Sequence, residues 1–498
     1  MGQEKSNKSI KKNSISVIFA HQKAVNTYKN SPREVRAAFW FTVCSFLQKG
    51  ISELSTPIFT RILTTEEYGQ FSVFNTWLNF ATVIVVLKLF AGVYTQGLVK
   101  YESDQKTYVS SMQGLSLSLT LLWTIIYLVG KTFWNNLLSL TTTQMLCMLI
   151  MIWASSCFNL WATQQRVLLK YRKLIIITIV TSIAKPVIGV TFVILSDDKV
   201  TARILGLALV ELLGYSWCFF VAMKSGKHFF SAEYWKITIT ACIPLIPHYL
   251  CQTALNSADR IMIKQMIGVS EAGIYSLAYS ISQIVMLLNT ALVQTVSPWI
   301  GKKIKQNKTE EVGKIVYISL ILVGLANIIL IAFAPEIVRI FSPKSYYDAI
   351  WVIPPIAMSV YFQFMYSCFA AFEFYFNETK QMSLATTLGA VLNIGLNYVF
   401  LQKYGYYAAG YTTLICYIMY AVFHFVLMKQ IDKKYIKKAS ISGKTILLIS
   451  TLFVFLGLIY LLTYANSMRR FILTILLFVI IFFMRDTLKK FANIIKNQ

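Results

Sequence analysis

Charged side chains are scarce in this sequence. Asp, Glu, Lys and Arg make up 14% of its 498 residues, against 56% hydrophobic ones and a mean hydropathy of +0.59. A water-soluble domain with so little charge cannot cover its own surface with polar groups, whereas a chain embedded in a bilayer has no such need. Acidic residues are the rarest of the charged ones, 21 against 47 Lys and Arg, and histidine occurs four times, at 21, 228, 248 and 424. No G-x-x-x-x-G-K-[ST] stretch is present to cradle a nucleotide phosphate, which excludes an ATP-driven pump of that type. There is no H-E-x-x-H, no C-x-x-C and no Cys/His spacing suited to a metal, so no catalytic set, no metal site and no cofactor is expected. All eight cysteines fall inside apolar runs and read as small packing residues.

What the sequence has is long apolar runs. Fourteen segments of about 20 residues can cross a membrane, near 36–62, 68–94, 108–130, 143–164, 174–195, 201–223, 237–262, 272–296, 314–334, 350–373, 383–401, 405–428, 445–464 and 470–485. The class is therefore an all-α polytopic membrane protein. With the N-terminus placed inside, 33 of the 47 basic residues lie in the tails and inner connections, 11 lie in or beside outer connections, and Lys49, Lys88 and Lys185 fall within spans. This is the positive-inside bias, and it places both termini in the cytoplasm. The basic excess is thus accounted for by topology and anionic lipid headgroups, not by nucleic acid. Residues 1–34 form a basic tail without an apolar h-region or cleavage site, expected to be mostly disordered and not a signal peptide.

The chain repeats itself at an offset of 204. Ile62-Leu-Thr-Thr-Glu-Glu67-Tyr-Gly69-Gln-Phe71-Ser72 lies over Met266-Ile-Gly-Val-Ser-Glu271-Ala-Gly273-Ile-Tyr275-Ser276. Each copy closes one span, turns through an acidic residue that suits a helix N-terminus, and opens the next. The first and seventh spans therefore correspond. Residues 35–230 form an N-lobe of six helices, residues 231–430 a parallel C-lobe of six, and residues 431–498 an accessory pair with a C-tail. Proteins built this way bind their cargo between the lobes near the midplane. Pro57, Pro186, Pro244 and Pro247 mark spans expected to bend.

Ionisable residues within spans are costly and mark candidate pathways. The candidates are Lys49 and Glu53 in the first span, Arg61 at its end, Lys88 in the second, Lys185 in the fifth, Glu211 in the sixth, and Asp259 with Arg260 at the end of the seventh. Each has an alternative reading. Lys49 and Glu53 stand four apart and suit mutual neutralisation; Lys88 suits snorkelling; Arg61 suits headgroup anchoring; Asp259 and Arg260 suit a helix-end ion pair. Glu373 sits late in the tenth span, and His248 and His424 read as packed core histidines.

The stretch Arg36-Ala-Ala-Phe-Trp-Phe-Thr-Val-Cys-Ser-Phe-Leu-Gln-Lys49-Gly-Ile51, followed by Thr56-Pro57-Ile-Phe-Thr-Arg61-Ile-Leu-Thr-Thr-Glu66-Glu67-Tyr68-Gly69, resembles the opening of Wzx-type polysaccharide flippases. These form the polysaccharide-transport branch of the multidrug/oligosaccharidyl-lipid/polysaccharide exporter superfamily. The resemblance is tight over about residues 36–80 and recurs weakly at 257–280 and 405–412. It implies a bacterial inner-membrane protein that moves undecaprenyl-pyrophosphate-linked oligosaccharide repeats outward for O-antigen or capsule assembly, through a central cavity coupled to an H⁺ or Na⁺ gradient. The partners implied are the lipid-linked oligosaccharide, the coupling cation, membrane lipids, and a polysaccharide polymerase with its chain-length regulator. Many relatives have twelve helices, so fourteen is a departure, as are the basic tail and Glu53. A drug exporter of the same superfamily would favour acidic groups in its cavity. A membrane polymerase would want a large outer loop, and the longest outer connection, near 335–349, has only about fifteen residues.

The topology is tested by impermeant thiol labelling from outside on a cysteine-free background. Cysteines placed at Lys308 and Lys437 should stay unlabelled in intact cells and label after permeabilisation.

Overall fold

The computed structural model describes residues 32–376 and 378–483, so both tails lie outside the described residues. Fourteen helical units follow one another: α1 (Arg33–Ile62), α2 (Thr65–Val85, resumed as Gly92–Lys100), α3 (Gln105–Val129), α4 (Thr142–Val167), α5 (Tyr171–Ile194), α6 (Lys199–Tyr215 and Trp217–Gly226), α7 (Ala232–Cys242 and Ile246–Met266), α8 (Val269–Lys305), α9 (Glu310–Ala332), α10 (Ile353–Tyr375), α11 (Thr379–Tyr404), α12 (Tyr407–Ile431), α13 (Gly443–Leu462) and α14 (Ser467–Phe483). They match the fourteen apolar runs one to one. Among the described residues, ten helices are long and apolar enough to cross a membrane by length and composition alone. The others are α1, α2, α7 and the 17-residue α14, and α1, α2 and α7 each carry polar residues into the cavity wall.

Local chemistry explains where helices begin and break. Thr64 caps α2 in a reciprocal box with Glu67, and Thr141 caps α4 likewise with Gln144. α7 breaks at Ile243–Leu245, where Pro244 and Pro247 remove backbone donors. α1 and α5 run through Pro57 and Pro186 as continuous helices. α2 is not the single span expected over 68–94. Leu87 and Lys88 both take positive φ, and the chain turns on bonds from Leu89 N–H to Val86 O and Ala91 N–H to Lys88 O, both at 3.0 Å. The turn delivers Leu89, Tyr94 and Leu98 to a core shared with Tyr108 and Leu160, which repays the broken ladder. α8 runs past its expected end at 296 as far as Lys305, because Val296, Ile300 and Ile304 form a buried stripe at helical spacing that keeps Pro298 inside the helix.

Two lobes result. α1 packs on α5, α5 on α6, α4 on α3 and α6; in the second lobe α10 packs on α8, α9 and α12, and α11 on α7 and α12. α13 rests on α9 and α10, and α14 touches α9. This accessory pair is pinned by the Tyr464 hydroxyl donating to Ile331 O at 2.7 Å and by an ion pair between Arg470 and Glu336. Large exposed side chains such as Leu447, Leu448 and Phe455 on α13 face outward, as lipid contact requires.

The lobes touch most closely where α2 meets α8. A Cβ on Gly69 would lie 2.0 Å from Val269 O, and one on Gly273 would lie 2.0 Å from Thr65 O. The Ser72 and Ser276 hydroxyls stand 2.6 Å apart across the same contact, with 204 residues between them in the chain, and Ser270 donates to Thr65 at 2.6 Å. These are the residues of the sequence repeat, so each copy packs on its counterpart about a two-fold axis. Small residues allow the backbones to approach this closely. The seam lies at the face opposite the basic loops, and three contacts reinforce it. Thr60 donates to Phe341 O, Arg61 to Ile340 O at 2.7 Å, and the Tyr346 hydroxyl to Thr64 O at 2.9 Å.

Replacing Ser72 and Ser276 together by cysteine, on a cysteine-free background, should give a disulfide that holds the seam shut. Its formation should be read as a mobility shift, with transport lost under oxidant and restored by reductant.

Candidate functional site

Behind the seam lies a cavity of about 540 Å³ between the lobes, walled by α1, α2, α6, α7 and α8. A second compartment of about 540 Å³ shares Lys49, Ser52, Asn75 and Arg203 with it, and leads to a third of about 170 Å³ lined by Gln48, Lys185, Glu211 and Arg166. Arg166 is in the last turn of α4, so the polar route runs from the seam toward the basic face.

The charges in the first compartment are Lys49, Glu53, Arg203 and Arg260. Helical geometry sets their positions. Lys49 and Glu53 fall one turn apart on the polar face of α1 with Ser52 and Thr56. They line the cavity together, yet the ion pairs among the described residues include neither. Arg260 lies over the Tyr279 ring at 4.2 Å and donates to Asn256 O at 3.3 Å.

Arg203, just inside the sixth apolar run and beside an outer connection, is not among the charged candidates read from the sequence. Asp198 caps α6 through the Thr201 N–H at 3.0 Å, and Lys199 donates to Ile62 O at 3.1 Å. This seats the first turns of α6 against α1, and Arg203 enters the cavity wall with 8% exposure. Its guanidinium lies between the Phe59 and Phe71 rings, 3.7 and 3.5 Å from their centroids. Nε and Nη1 have no hydrogen-bond partner among the described residues. The signal available in sequence was an arginine between Ala202 and Ile204 in an apolar helical run, on the face where basic residues are few.

The other candidates divide. Lys185 and Glu211 neutralise each other at 2.7 Å in the wall of the second and third compartments. Lys88 is not within a span but in the break of α2, its ammonium over the Tyr249 ring at 4.5 Å and away from these compartments. Arg61 is exposed and holds the end of α1 to the short helix Ala334–Phe341. Asp259 and Arg260 do not pair. Successive helical residues point about 100° apart, so Arg260 faces the cavity while Asp259, 1% exposed, turns into the C-lobe. There its carboxylate accepts from Tyr275 at 2.6 Å, Asn397 at 2.9 Å and Thr413 at 3.1 Å. Among the described residues no group of three His, Cys, Asp or Glu side chains is placed to hold a metal.

The arrangement suits a multiply charged anion. Three cations face one carboxylate, and Arg203 stands in the wall with Nε and Nη1 buried and unpartnered among the described residues, in a site of reduced dielectric where a charge-assisted bond to an anion is strong. Two lobes, a polar route between them and a seam closing one end define a membrane transporter. The chain belongs to the polysaccharide biosynthesis protein family, whose sequence pattern matches residues 35–304; the MatE pattern matches 244–399. A Haemophilus influenzae Lsg locus protein is 24% identical over 213 residues, 40% of this chain and 51% of that protein, so the match spans about half of the relative. Among solved structures, the lipid II flippase MurJ in an inward closed conformation superposes with a TM-score of 0.68 at 15% identity, over 90% of this chain and 99% of that one. An inward-facing multidrug resistance MATE family transporter gives 0.61 at 14% identity, over 78% and 96%. At these identities the likeness is one of fold.

Arg203→Leu should leave the protein folded and at least as heat-stable, since an uncompensated buried charge is removed. Binding of an anionic substrate should weaken about 10- to 100-fold, the worth of one or two charge-assisted hydrogen bonds. Melting curves and binding isotherms on the same preparation check both.

Proposed function

We propose that this protein is a flippase that moves undecaprenyl-pyrophosphate-linked oligosaccharide repeats across the bacterial inner membrane for O-antigen or capsular polysaccharide assembly. The observation that carries this reading is Arg203, a buried guanidinium with unused donors beside Lys49 and Arg260. A diphosphate supplies the missing acceptors, and the polar walls accept the sugars. In this reading the basic face is cytoplasmic, as are both termini. Lipid-linked sugar enters from that side, and the α2–α8 seam separates it from the outside. Opening the seam while the cytoplasmic side closes is alternating access between two lobes.

The coupling cation, H⁺ or Na⁺, is assigned to Asp259. Its carboxylate lies in the C-lobe on the same helix as Arg260, so a cation arriving there shifts the packing of α7 on which one cavity wall depends. A polymerase and a chain-length regulator are the partners expected to take the product. The MatE match raises the second reading, a drug exporter; the cationic cavity disfavours it for cationic drugs. Family and fold both point to transport, with no enzymatic step.

Deleting the gene should trap lipid-linked repeat units on the cytoplasmic leaflet, whereas loss of a polymerase would leave single units on the outer leaflet. Lys49 gives a finer test. Lys49→Arg should retain polysaccharide export and Lys49→Ala should lose it with membrane levels unchanged. The double change Lys49→Ala with Glu53→Ala should not recover it. Recovery by the double variant would mean that Lys49 serves only to neutralise Glu53.

A further inference from the structure

The C-lobe buries a titratable pair that the transport reading does not use. Glu373 Oε1, near the end of α10, and His424 Nδ1, in α12, are 2.7 Å apart, with side chains 0% and 1% exposed. Glu373 Oε2 and His424 Nε2 are also buried and have no hydrogen-bond partner among the described residues. The surroundings are aromatic. The Tyr366 ring stacks on the imidazole at 5.4 Å and the Tyr420 ring meets it edge-on at 4.4 Å.

Such a pair has two accessible forms. With one ring proton, Nδ1–H donates to the carboxylate and the pair carries a net charge of −1 in an apolar setting. A second proton on the free lone pair of Nε2 makes a carboxylate–imidazolium pair of net charge zero. Burying a lone charge costs several kcal/mol more than burying a hydrogen-bonded neutral pair. Nε2, buried and without a partner among the described residues, is the atom at which a second proton can arrive and leave.

We propose that Glu373 and His424 form a proton-binding site in the C-lobe, distinct from Asp259. Four charged groups on neighbouring elements are engaged elsewhere. Asp259 on α7 is held by its three donors, Arg260 lies on Tyr279, Lys303 on α8 pairs with Glu311, and Lys429 on α12 pairs with Asp432. Lys314 on α9 and Lys444 on α13 make none of the ion pairs among the described residues. The titratable groups in ring contact are tyrosines. Tyr366 stacks further on Tyr417 at 6.5 Å, and the Tyr417 hydroxyl donates to Asn256 Oδ1 at 2.8 Å. Asn256 lines the cavity and its carbonyl holds Arg260. A change of charge at His424 is thus two rings from the wall that faces the cargo. The link to transport rests on the flippase reading; the proton site itself does not.

The chain has only four histidines, so ¹⁵N-histidine solid-state spectra of the full-length protein in lipid bilayers can isolate His424 as the signal missing from His424→Gln. That signal should pass between neutral and imidazolium forms as pH is varied, and in Glu373→Gln it should remain neutral over the same range. An imidazole that keeps one form at every pH, or one whose titration ignores Glu373→Gln, overturns the proposal. If Glu373→Gln does not fold, Glu373→Asp serves, and should displace the His424 titration. Polysaccharide export is scored separately, so a failed substrate assignment leaves this spectroscopic result standing.

Discussion

Two backbones pressed together at Gly69 and Gly273 set the geometry of the rest of this protein. Each glycine leaves the space into which the carbonyl one turn back on the other helix fits, so α2 and α8 come closer than any side chain would allow. Because the contact pairs each repeat copy with its own counterpart, it fixes the two lobes about one axis. The helices splay from that point, and their polar faces are left lining a space instead of packing. The seam and the cavity are consequences of the same close approach. The neighbouring hydroxyl pair Ser72–Ser276 lets the seam be polar, which suits a contact that must also come apart.

The charges inside the bundle obey a division of labour that follows from dielectric. Those that pair within the protein, Lys185 with Glu211 and Arg470 with Glu336, hold helices together. Those that line the central cavity keep their donors free or lie on aromatic rings, as Arg203 does between Phe59 and Phe71. A ring face lowers the cost of burying a guanidinium without occupying its N–H groups. The cation is thereby tolerated in the wall while remaining available to an anion. Asp259 shows the converse, a carboxylate whose oxygens already accept from Tyr275, Asn397 and Thr413.

The all-helical class, the fourteen helical units and the two-copy organisation were legible in the sequence. Apolar run length is set by bilayer thickness. An internal repeat survives in the residues that touch across the axis, which is why Gly69 aligns with Gly273 in the chain and also packs beside it in space. The cavity positions of Lys49, Glu53 and Arg260 followed from the cost of charge within a span. What tertiary structure decided was direction and partnership. Asp259 and Arg260 are neighbours in sequence and point into different compartments. Lys185 and Glu211 are 26 residues apart and meet. Lys88 left its span because the chain turned to bury Leu89 and Tyr94, and Arg203 reached the cavity wall because the first turns of α6 were drawn against α1. Hydrophobicity is a property of each residue and adds along the chain. Whether a charge is free, paired or stacked depends on which helices pack against it, and that is settled only when the bundle assembles.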